Sequence, residues 1–296
     1  MKTMPLAPTL LRELTLLRAT PGQRHLGAAS GLVCAHGRVY VVGDDEHHLA
    51  LFDDAHAPGR TLRLFDGELP SAKKARKRRK PDTETLALLP PGRALLALGS
   101  GSRPNRCRAA LIALDACGQP RVPPRLIDLG PLYESLRARF PDLNIEGAFF
   151  CAGEFVLLQR GHRGGAPNAS VHYRAADTLA WLSRGADKPA VQRVCEHRLP
   201  QVQGVRLTFT DASALADGRW LFSAVAEATD DSIADGAVGL MSARGEMQTL
   251  WRLPGNEKVE GIAVRERSNR IDIALVTDAD DPFIASRLLV ARLSAP

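Results

Sequence analysis

A short unit of strand, tight turn and strand recurs along this sequence, and it constrains the fold more than any other feature. Its clearest copy runs from Lys258 to Asp278, with Lys-Val-Glu-Gly-Ile-Ala-Val before the turn and Ile-Asp-Ile-Ala-Leu-Val-Thr-Asp after it. Four related pairs lie upstream, beginning near residues 29, 83, 144 and 210. Successive copies are about 50 to 65 residues apart, which is the period of a repeat architecture with one four-stranded unit per repeat.

Further short apolar segments follow each copy, so the predicted strands fall into groups. The groups cover 29–65, 84–129, 145–199, 211–253 and 259–293. Four-stranded units in a radial arrangement make a β-propeller. The sequence therefore predicts an all-β, five-bladed β-propeller of four-stranded blades, as a single domain over residues 1–296. A six-bladed propeller is the alternative and needs a hidden blade, whereas a pair of packed sheets does not explain the repeated unit.

The last group has three predicted strands, whereas the others have four. The segment 10–19 alternates loosely between apolar and polar residues and has no partner nearby in the sequence. Pairing of this segment with the C-terminal sheet leaves no open edge on the last blade, and open edges promote aggregation. We therefore expect the N-terminal strand to close the last blade.

Two segments interrupt the strand pattern. Residues 130–141 place apolar side chains at helical spacing, which predicts a short helical insertion. Residues 71–82 are dominated by Lys and Arg and show no apolar periodicity, which predicts a basic flexible loop. The run from Lys73 to Lys80 carries seven positive charges, whereas the whole chain carries a net charge of +6. This one run therefore accounts for the basic character of the chain.

Composition is typical of a folded protein of the cytoplasm. Hydrophobic residues make up 45% of the chain and charged residues 24%, which excludes a disordered protein. The first residues lack the apolar stretch of a secretory leader, and no window resembles a membrane span. The five cysteines are scattered and form no Cys-x-x-Cys pair, as expected of reduced thiols. We expect a cytoplasmic monomer that does not interact with membranes.

Acidic residues collect at one end of the predicted blades. The start of the first strand and the end of the second lie on the same face of a blade, because the two strands are antiparallel. The predicted strand starts supply one acidic residue in each of four blades: Glu84, Glu146, Asp211 and Glu260. Blade 1 has Ser30 at this position, and the ends of second strands add Asp44 and Asp278. We expect these side chains around one mouth of the central channel.

Carboxylates around one channel mouth repel each other unless a cation or interleaved basic side chains neutralise them. A ring of carboxylate oxygens suits a hard divalent cation, with Ca²⁺ first and Mg²⁺ or Mn²⁺ next. Two other interpretations stay open. The carboxylates are also suited to capping backbone N–H groups between blades, and to acid–base chemistry without a metal.

Basic side chains are predicted on the same face. The four candidates for binding a substrate are Lys80, Arg103, Arg106 and Arg160. Guanidinium groups bind carboxylates and phosphates, so an anionic small molecule is the expected ligand. His162 and Asp278 are the candidates for proton transfer. Nucleic acid is not an expected partner, because aromatic residues make up 5% of the chain and no stacking platform accompanies the basic run.

Several segments resemble known propeller families. Ser30-Gly-Leu, Ile145-Glu-Gly and Val259-Glu-Gly-Ile-Ala look like blades of the esterase-like phytase domain. They are also similar to gluconolactonase and regucalcin-type propellers, and the chain as a whole resembles bacterial propellers of this kind. In the gluconolactonase and regucalcin types, a Glu-Gly at an inner strand start supplies a ligand to a divalent metal. Gluconolactonase-type propellers have six blades, whereas this sequence has five groups of strands.

This resemblance implies that Glu146 and Glu260 are metal ligands, with Asp44 and Asp278 next. Glu84 and Asp211 complete the predicted ligand set. The first functional hypothesis is a metal-dependent hydrolase of a small phosphoester or lactone, in which the cation polarises the substrate. The second is a non-catalytic propeller that binds a ligand or a protein and holds a structural cation.

Overall fold

The computed structural model describes residues 3–17, 24–53, 56–161, 166–227, 233–255 and 257–294. Five sheets are arranged radially, and the inner strand of each sheet contacts the inner strands of both neighbouring sheets. The protein is a five-bladed β-propeller of four-stranded blades, as the repeated unit predicts.

The chain begins with two short strands, β1 (Thr3–Pro5) and β2 (Thr9–Glu13). Blade 1 contains β3 (Ala29–Ala35), β4 (Arg38–Gly43), β5 (His48–Phe52) and β6 (Arg60–Arg63). Blade 2 contains β7 (Thr83–Leu89), β8 (Ala94–Gly99), β9 (Arg108–Ala113) and β10 (Arg125–Asp128). Blade 3 contains β11 (Ile145–Cys151), β12 (Glu154–Gln159), β13 (Asn168–Arg174) and β14 (Val191–His197).

A small hairpin of β15 (Gln201–Val202) and β16 (Val205–Arg206) precedes blade 4. Blade 4 contains β17 (Thr208–Ala214), β18 (Trp220–Glu227), β19 (Ile233–Met241) and β20 (Met247–Leu253). Blade 5 contains β21 (Lys258–Arg267), β22 (Arg270–Asp278) and β23 (Arg287–Ser294). The helices are α1 (Lys73–Arg79), α2 (Gly130–Arg137) and α3 (Ala175–Arg184), and Pro104–Arg106 form a 3₁₀ turn.

The blades pack face to face through apolar side chains. Within the described residues, five buried clusters correspond to the five contacts between neighbouring blades. The contact between blades 3 and 4 is the most aromatic, with Phe149 packed against Trp220 and Phe209 against Phe222. Burial of these faces on both sides explains why the middle strands read as continuous apolar runs.

The N-terminal segment closes the ring, as predicted. Strand β2 pairs antiparallel with β23 and becomes the fourth strand of blade 5, while β1 adds a parallel fifth strand to blade 4. The predicted strand over 10–19 is too long, because β2 ends at Glu13. Beyond it, Thr15 pairs with His25 and Leu16 with Gly59, so the chain leaves blade 5 for blade 1. Residues 18 and 19 lie outside the described residues.

One segment differs from the prediction. The basic run, expected to be a flexible loop, forms helix α1, which contacts with the neighbouring rim hold in place. Helix α3, between the third and fourth strands of blade 3, was not predicted, and its Leu182 and Thr178 are buried against the blade. Helix α2 falls inside the predicted 130–141 insertion. None of the helices in the described part of the chain is long and apolar enough to span a membrane.

Candidate functional site

A β-bulge at the start of each inner strand determines which side chains reach the channel mouth. In blades 2, 3 and 5 the residues Glu84, Glu146 and Glu260 have no partner on the adjacent strand, whereas the residues on either side of each are paired. Blade 1 has the same irregularity at Ser30, and blade 4 has it at Thr210. A bulge redirects the extra residue away from the regular alternation. The bulge thus directs three glutamates toward the mouth, with Ser30 at the equivalent position of blade 1. The Thr210 hydroxyl of blade 4 is instead buried and donates to the carbonyl oxygen of Val259 at 2.9 Å.

The Gly of the recurring Glu-Gly pair serves close packing of the inner strands. A Cβ atom on Gly261 would lie 2.4 Å from the carbonyl oxygen of Ser30, and one on Gly31 would lie 2.5 Å from the backbone nitrogen of Leu86. A Cβ on Gly147 would lie 3.3 Å from the Cα of Asp211. The motif thus combines a mouth-facing Glu with a Gly that lets adjacent blades approach.

Asp211 is not part of this ring, contrary to the prediction from strand starts. It lies one residue beyond the bulge and is buried between inner strands. Its two carboxylate oxygens accept hydrogen bonds from the backbone N–H groups of Ala212 at 2.8 Å and Ile262 at 3.1 Å. Burial raises the pKa of Asp211 well above its usual range, against the opposing effect of hydrogen bonds from Ile262, Ala212 and Leu32. Asp211 therefore connects blade 4 to blade 5 through Ile262, and to blade 1 through Leu32, by capping backbone N–H groups.

The predicted residues Asp44 and Glu84 meet at the rim of blades 1 and 2, together with Asp82, which was not predicted. One oxygen of each of the three carboxylates lies within 4.8 Å of the others. Lys80 Nζ donates to Asp44 and lies 3.1 Å from Asp82 Oδ1 and 3.3 Å from Asp45 Oδ1. We call Asp44, Asp82 and Glu84 the rim cluster. Among the described residues it is the one group of three metal-binding side chains close enough to share an ion.

Asp82 is held in place from the other side. Its Oδ2 accepts hydrogen bonds from Ser100 Oγ at 2.5 Å, Ser102 Oγ at 3.3 Å and Arg106 at 2.7 Å. Arg106 also donates to the carbonyl oxygen of Lys77. The predicted substrate ligand Arg106 is thereby committed to positioning Asp82 and the C-terminal turn of α1.

Glu84 differs from its neighbours in having no close partner. Within the described part of the chain, no group forms a hydrogen bond or a salt bridge with its carboxylate. Burial, followed by the charges of Glu146, Asp82 and Asp44, raises the pKa of Glu84 well above its usual range. Burial also raises the pKa of Asp44 to about 6, although Lys80 opposes it. Three ionised carboxylates in the rim cluster would carry more negative charge than Lys80 alone neutralises, which disfavours their simultaneous ionisation.

The next glutamate around the channel mouth is Glu146 of blade 3, and it is paired with Arg160. The Arg160 guanidinium lies 3.4 Å from Glu146 Oε1 and 2.9 Å from Glu227 Oε2, and Asn144 donates to Glu146 at 2.5 Å. Burial raises the pKa of Glu146 to about 7, against the effect of Arg160. Arg160 is therefore neutralised by carboxylates and is not free to bind an anionic substrate.

Glu260 and Asp278 share Lys258. Its Nζ atom lies 3.1 Å from Glu260 Oε1 and from Asp280 Oδ1, and 3.2 Å from Asp278 Oδ2. Burial raises the pKa of Asp278 to about 7, although Lys258 opposes it. The Oε2 atom of Glu260 is buried without a hydrogen-bond partner among the described residues. Glu260 and Asp278 thus lie close together, and a pKa of about 7 suits Asp278 to proton transfer near neutral pH.

Helix α1 lies beside the mouth and covers the side on which Ser30 replaces a glutamate. Arg76 donates to the carbonyl oxygen of Asp45 at 2.6 Å, and Asn105 donates to the carbonyl oxygens of Arg78 and Lys80. The rim cluster and α1 thus lie together at the rim of blades 1 and 2. Arg103 is exposed at the same rim, and His162 lies outside the described residues.

The rim cluster has the chemistry of a site for a hard divalent cation. Its donors are carboxylate oxygens from two blades, which is the donor type that Ca²⁺, Mg²⁺ and Mn²⁺ prefer. Glu84 lacks a partner, and Asp82 is oriented by hydrogen bonds from Ser100 and Arg106, as ligating carboxylates commonly are. Entry of a cation requires Lys80 to give up its contact with Asp44. The residues present thus fit a cation, in competition with an internal ammonium group.

Comparisons with known proteins identify a family. The model of DUF6929, a family of unknown function, matches residues 25–293. Among curated proteins, none matches this sequence significantly.

Solved structures with a similar fold are distant in sequence. An α-L-arabinofuranosidase from Podospora anserina is 13% identical, with a TM-score of 0.54 and coverage of 98% of this chain and 97% of that chain. The catalytic domain of an α-L-arabinofuranosidase from Coprinopsis cinerea is 12% identical, with a TM-score of 0.52 and 98% of both chains covered. A calcium-binding regucalcin from Agrobacterium tumefaciens is 11% identical, with a TM-score of 0.48, 98% of this chain and 95% of that chain covered. Identities this low show the propeller fold alone.

Proposed function

This chain belongs to DUF6929, a family of unknown function, and we propose that it is a hydrolase whose channel mouth binds a divalent cation through Asp44, Asp82 and Glu84. The observation that carries the proposal is the approach of these three carboxylates to within 4.8 Å of one another. The substrate class that suits such a site is a small phosphoester or a lactone. A bound cation would polarise the phosphoryl or carbonyl oxygen of the substrate.

The residues around the cation site have separable tasks in this proposal. Ser100 and Arg106 orient Asp82 through its second oxygen. Arg103 is exposed and is not committed to a carboxylate within the described residues, so it is the candidate to bind the anionic part of a substrate. Asp278, with a pKa raised to about 7 by burial, is the candidate to hold or accept a proton.

Glu146 and Glu260 are not metal ligands in this proposal, although the sequence suggests them as the leading ones. Each is paired with a basic side chain of its own, Arg160 and Lys258 respectively. A carboxylate engaged in such a pair loses the pair when it ligates a metal, and the basic group is left uncompensated. In the rim cluster Asp44 and Asp82 are also paired with basic side chains, but within the described residues Glu84 is not. We therefore assign the cation to the rim cluster, where it would bind Glu84 and displace Lys80 from Asp44.

A second function is favoured by a different observation. Lys80 Nζ donates to Asp44 and lies next to Asp82, so an internal cation already lies in the rim cluster. If this ammonium group is never displaced, the propeller binds ligands without a metal and without catalysis. The alternative is therefore a ligand-binding module in which Lys80 takes the place of the structural cation.

Calorimetric titration with Ca²⁺, Mg²⁺ and Mn²⁺ separates the two functions. The hydrolase proposal predicts saturable binding of at least one cation, and loss of that binding in Glu84→Gln. A matched control is Glu134→Gln, since Glu134 is an exposed carboxylate on α2 outside the rim cluster. Activity is then measured on phosphate monoesters, phosphate diesters and lactones with the bound cation present. Absence of cation binding, or of activity on every member of that panel, contradicts the hydrolase proposal.

A further inference from the structure

The outer side of α1 is a strongly basic surface. Five of its side chains are exposed: Lys73, Lys74, Lys77, Arg78 and Arg79. In the described part of the chain, none of these five forms a salt bridge or a side-chain hydrogen bond. Such a cluster is unfavourable in isolation, because like charges repel one another over these short distances. The surface thus has the electrostatic character of a docking site for an anionic partner.

Helix α1 holds this surface in a fixed orientation. Its inner side is attached to the rim by Arg76, which contacts Asp45 and Glu46, and by Lys80, which contacts the rim cluster. Arg106 and Asn105 bind the carbonyl oxygens of its last turn. These contacts use the inner side of α1, and the five basic side chains stay exposed.

An exposed apolar loop lies on the same rim as α1. The backbone N–H of Asp44 donates to the carbonyl oxygen of Ala28 at 3.2 Å, and Ala28 forms a β-bridge with Asp278. The loop after β22 therefore lies beside the segment to which Arg76 attaches α1. Three residues beyond Asp280, Phe283 is 89% exposed and Ile284 is 48% exposed. The loop is anchored at Pro282, whose carbonyl oxygen lies 3.0 Å from His25 Nε2. A large aromatic side chain and an aliphatic one therefore project from the rim beside the basic surface.

We propose that this face of the propeller docks on an anionic lipid bilayer. Lysine and arginine side chains near a bilayer are attracted to acidic headgroups, and exposed Phe and Ile side chains insert at the boundary between headgroups and acyl chains. Peripheral docking needs two such signals together, and this face presents both of them within one rim.

The same observations fit nucleic acid less well. Sequence-tolerant binding of a single strand uses several aromatic side chains in a row on which successive bases stack. The exposed apolar residues here are one aromatic and one aliphatic side chain, and α1 itself carries no aromatic residue. An acidic lipid surface uses both the charges and the aliphatic residue, whereas a nucleic acid would use the charges alone.

Docking in this orientation turns the channel mouth toward the bilayer. It goes beyond the proposed hydrolase activity and does not depend on it, because none of the five exposed side chains or the two apolar ones belongs to the rim cluster. From the sequence we expect a protein that does not interact with membranes, and docking on a bilayer departs from that expectation. The expectation rests on the lack of a long apolar run, and a peripheral surface of this kind leaves no such run in the sequence.

The test is flotation of the full-length protein with vesicles of neutral phosphatidylcholine, with or without phosphatidylglycerol. We expect binding to the anionic vesicles, weakened by salt, and little binding to the neutral ones. The double substitution Lys74→Glu/Lys77→Glu should lower the partition coefficient at least about tenfold. The matched control is Arg184→Glu/Lys188→Glu, which makes the same change in charge at the end of α3 and in the loop after it. Helix α3 begins beside the turn between β11 and β12, on the opposite face of the propeller, so this variant should bind the vesicles as the wild type does.

A second measurement examines whether the loop that carries Phe283 inserts into the bilayer. Brominated lipids in anionic vesicles should quench the tryptophan fluorescence of Phe283→Trp more strongly than that of the unsubstituted protein, which reports the native tryptophans alone. Equal binding to neutral and anionic vesicles, or equal losses in the α1 and α3 variants, overturns the proposal. So does binding of a single-stranded oligonucleotide that depends on Lys74 and Lys77 while vesicles are not bound. Far-ultraviolet circular dichroism and melting temperature verify that each variant is folded.

Discussion

The Nζ atom of Lys80 lies 3.1 Å from Oδ1 of Asp82, within the rim cluster that suits a divalent cation. Burial alone would lower the pKa of Lys80, but the charges of Asp44, Glu84, Asp82 and Asp45 raise it above its usual value, so the side chain stays charged. The protein thus supplies its own cation to the cluster. A metal ion has to compete with this ammonium group for the same oxygens.

Replacement of Lys80 by Gln tests that competition. Without the ammonium group the rim cluster keeps its negative charge and loses its internal counter-ion, so Ca²⁺ or Mn²⁺ should bind about tenfold more tightly or better. In the absence of metal the same variant should be less stable, by about 3 kcal/mol or more, because buried carboxylates are left uncompensated. Titration calorimetry and urea unfolding with a chelator measure the two effects. Weaker cation binding in Lys80→Gln would show that Lys80 supports the site and does not compete with the metal.

Asp211 is predicted to act in stability and not in ligand binding. Asp211→Ala leaves the buried N–H groups of Ile262 and Ala212 without an acceptor, and should lower the free energy of unfolding by about 3 kcal/mol or more. Asp187→Ala is the control, since Asp187 is exposed and should change stability by less than about 0.5 kcal/mol. Urea unfolding of both variants compares them. A stable Asp211→Ala that has lost cation binding would instead place Asp211 among the ligands.

Gly261 should be intolerant of a side chain. The added methyl group of Gly261→Ala meets the carbonyl oxygen of Ser30 at 2.4 Å and Leu32 Cβ at 2.9 Å, so the inner strands of blades 5 and 1 must separate. We expect a loss of about 3 kcal/mol in the free energy of unfolding. Gly27→Ala serves as the control because its nearest neighbour, Pro282 Cα, is 3.4 Å away. Equal stability of the two variants in thermal and urea unfolding would refute the packing role of the Glu-Gly motif.

A buried histidine gives a prediction for pH. Burial lowers the pKa of His197 to about 4 from an ordinary value of 6.5, so this side chain is neutral when the protein is folded at pH 7. Because the pKa of His197 is lower in the folded protein than in the unfolded chain, its contribution to stability is fully present at pH values above the unfolded-state pKa of about 6.5. That contribution is lost as the pH falls from about 6.5 to about 4. The free energy of unfolding of the wild type should therefore fall by about 3 kcal/mol more than that of His197→Gln between pH 6.5 and pH 4.

The comparison with His197→Gln is necessary because other groups titrate in the same range. Burial raises the pKa of both Glu146 and Asp278 to about 7, which favours the folded protein as pH falls through this range and opposes the effect of His197. These two groups are common to wild type and variant, so their contribution cancels in the difference. Parallel urea titrations between pH 7.5 and pH 4 give that difference, and identical slopes for the two proteins would contradict the assignment to His197.

The fold was accessible from the sequence because its repeated unit carries the information locally. Apolar runs and Gly-containing turns predict the five blades. The missing strand of the last group predicts that an N-terminal strand, β2, closes the ring. The three ring glutamates, Glu84, Glu146 and Glu260, were found for the same reason. Asp211 was misplaced because an acidic residue adjacent to a bulge looks the same in sequence as one within it, and a shift of one residue reverses the direction of a strand side chain.

The rest of the site depends on contacts between distant segments. Asp82 precedes strand β7 by one residue, and its only sequence signal is its position two residues before Glu84. Its partner Ser100 follows β8, and no local pattern joins the two. Helix α1 has no apolar periodicity because charged contacts, such as that between Arg76 and Asp45, hold it in place. These features arise from tertiary pairing, which composition and periodicity do not record.

Anomalous diffraction from crystals grown with Mn²⁺ decides whether the rim cluster binds a metal. We expect an anomalous peak about 2.0 to 2.6 Å from oxygens of Asp44, Asp82 and Glu84, with Lys80 Nζ displaced from Asp44. The peak should be absent from Glu84→Gln crystals grown in the same way. A rim cluster without a peak, in which Lys80 still contacts Asp44 and Asp82 at saturating Mn²⁺, would contradict a metal-dependent function for this propeller.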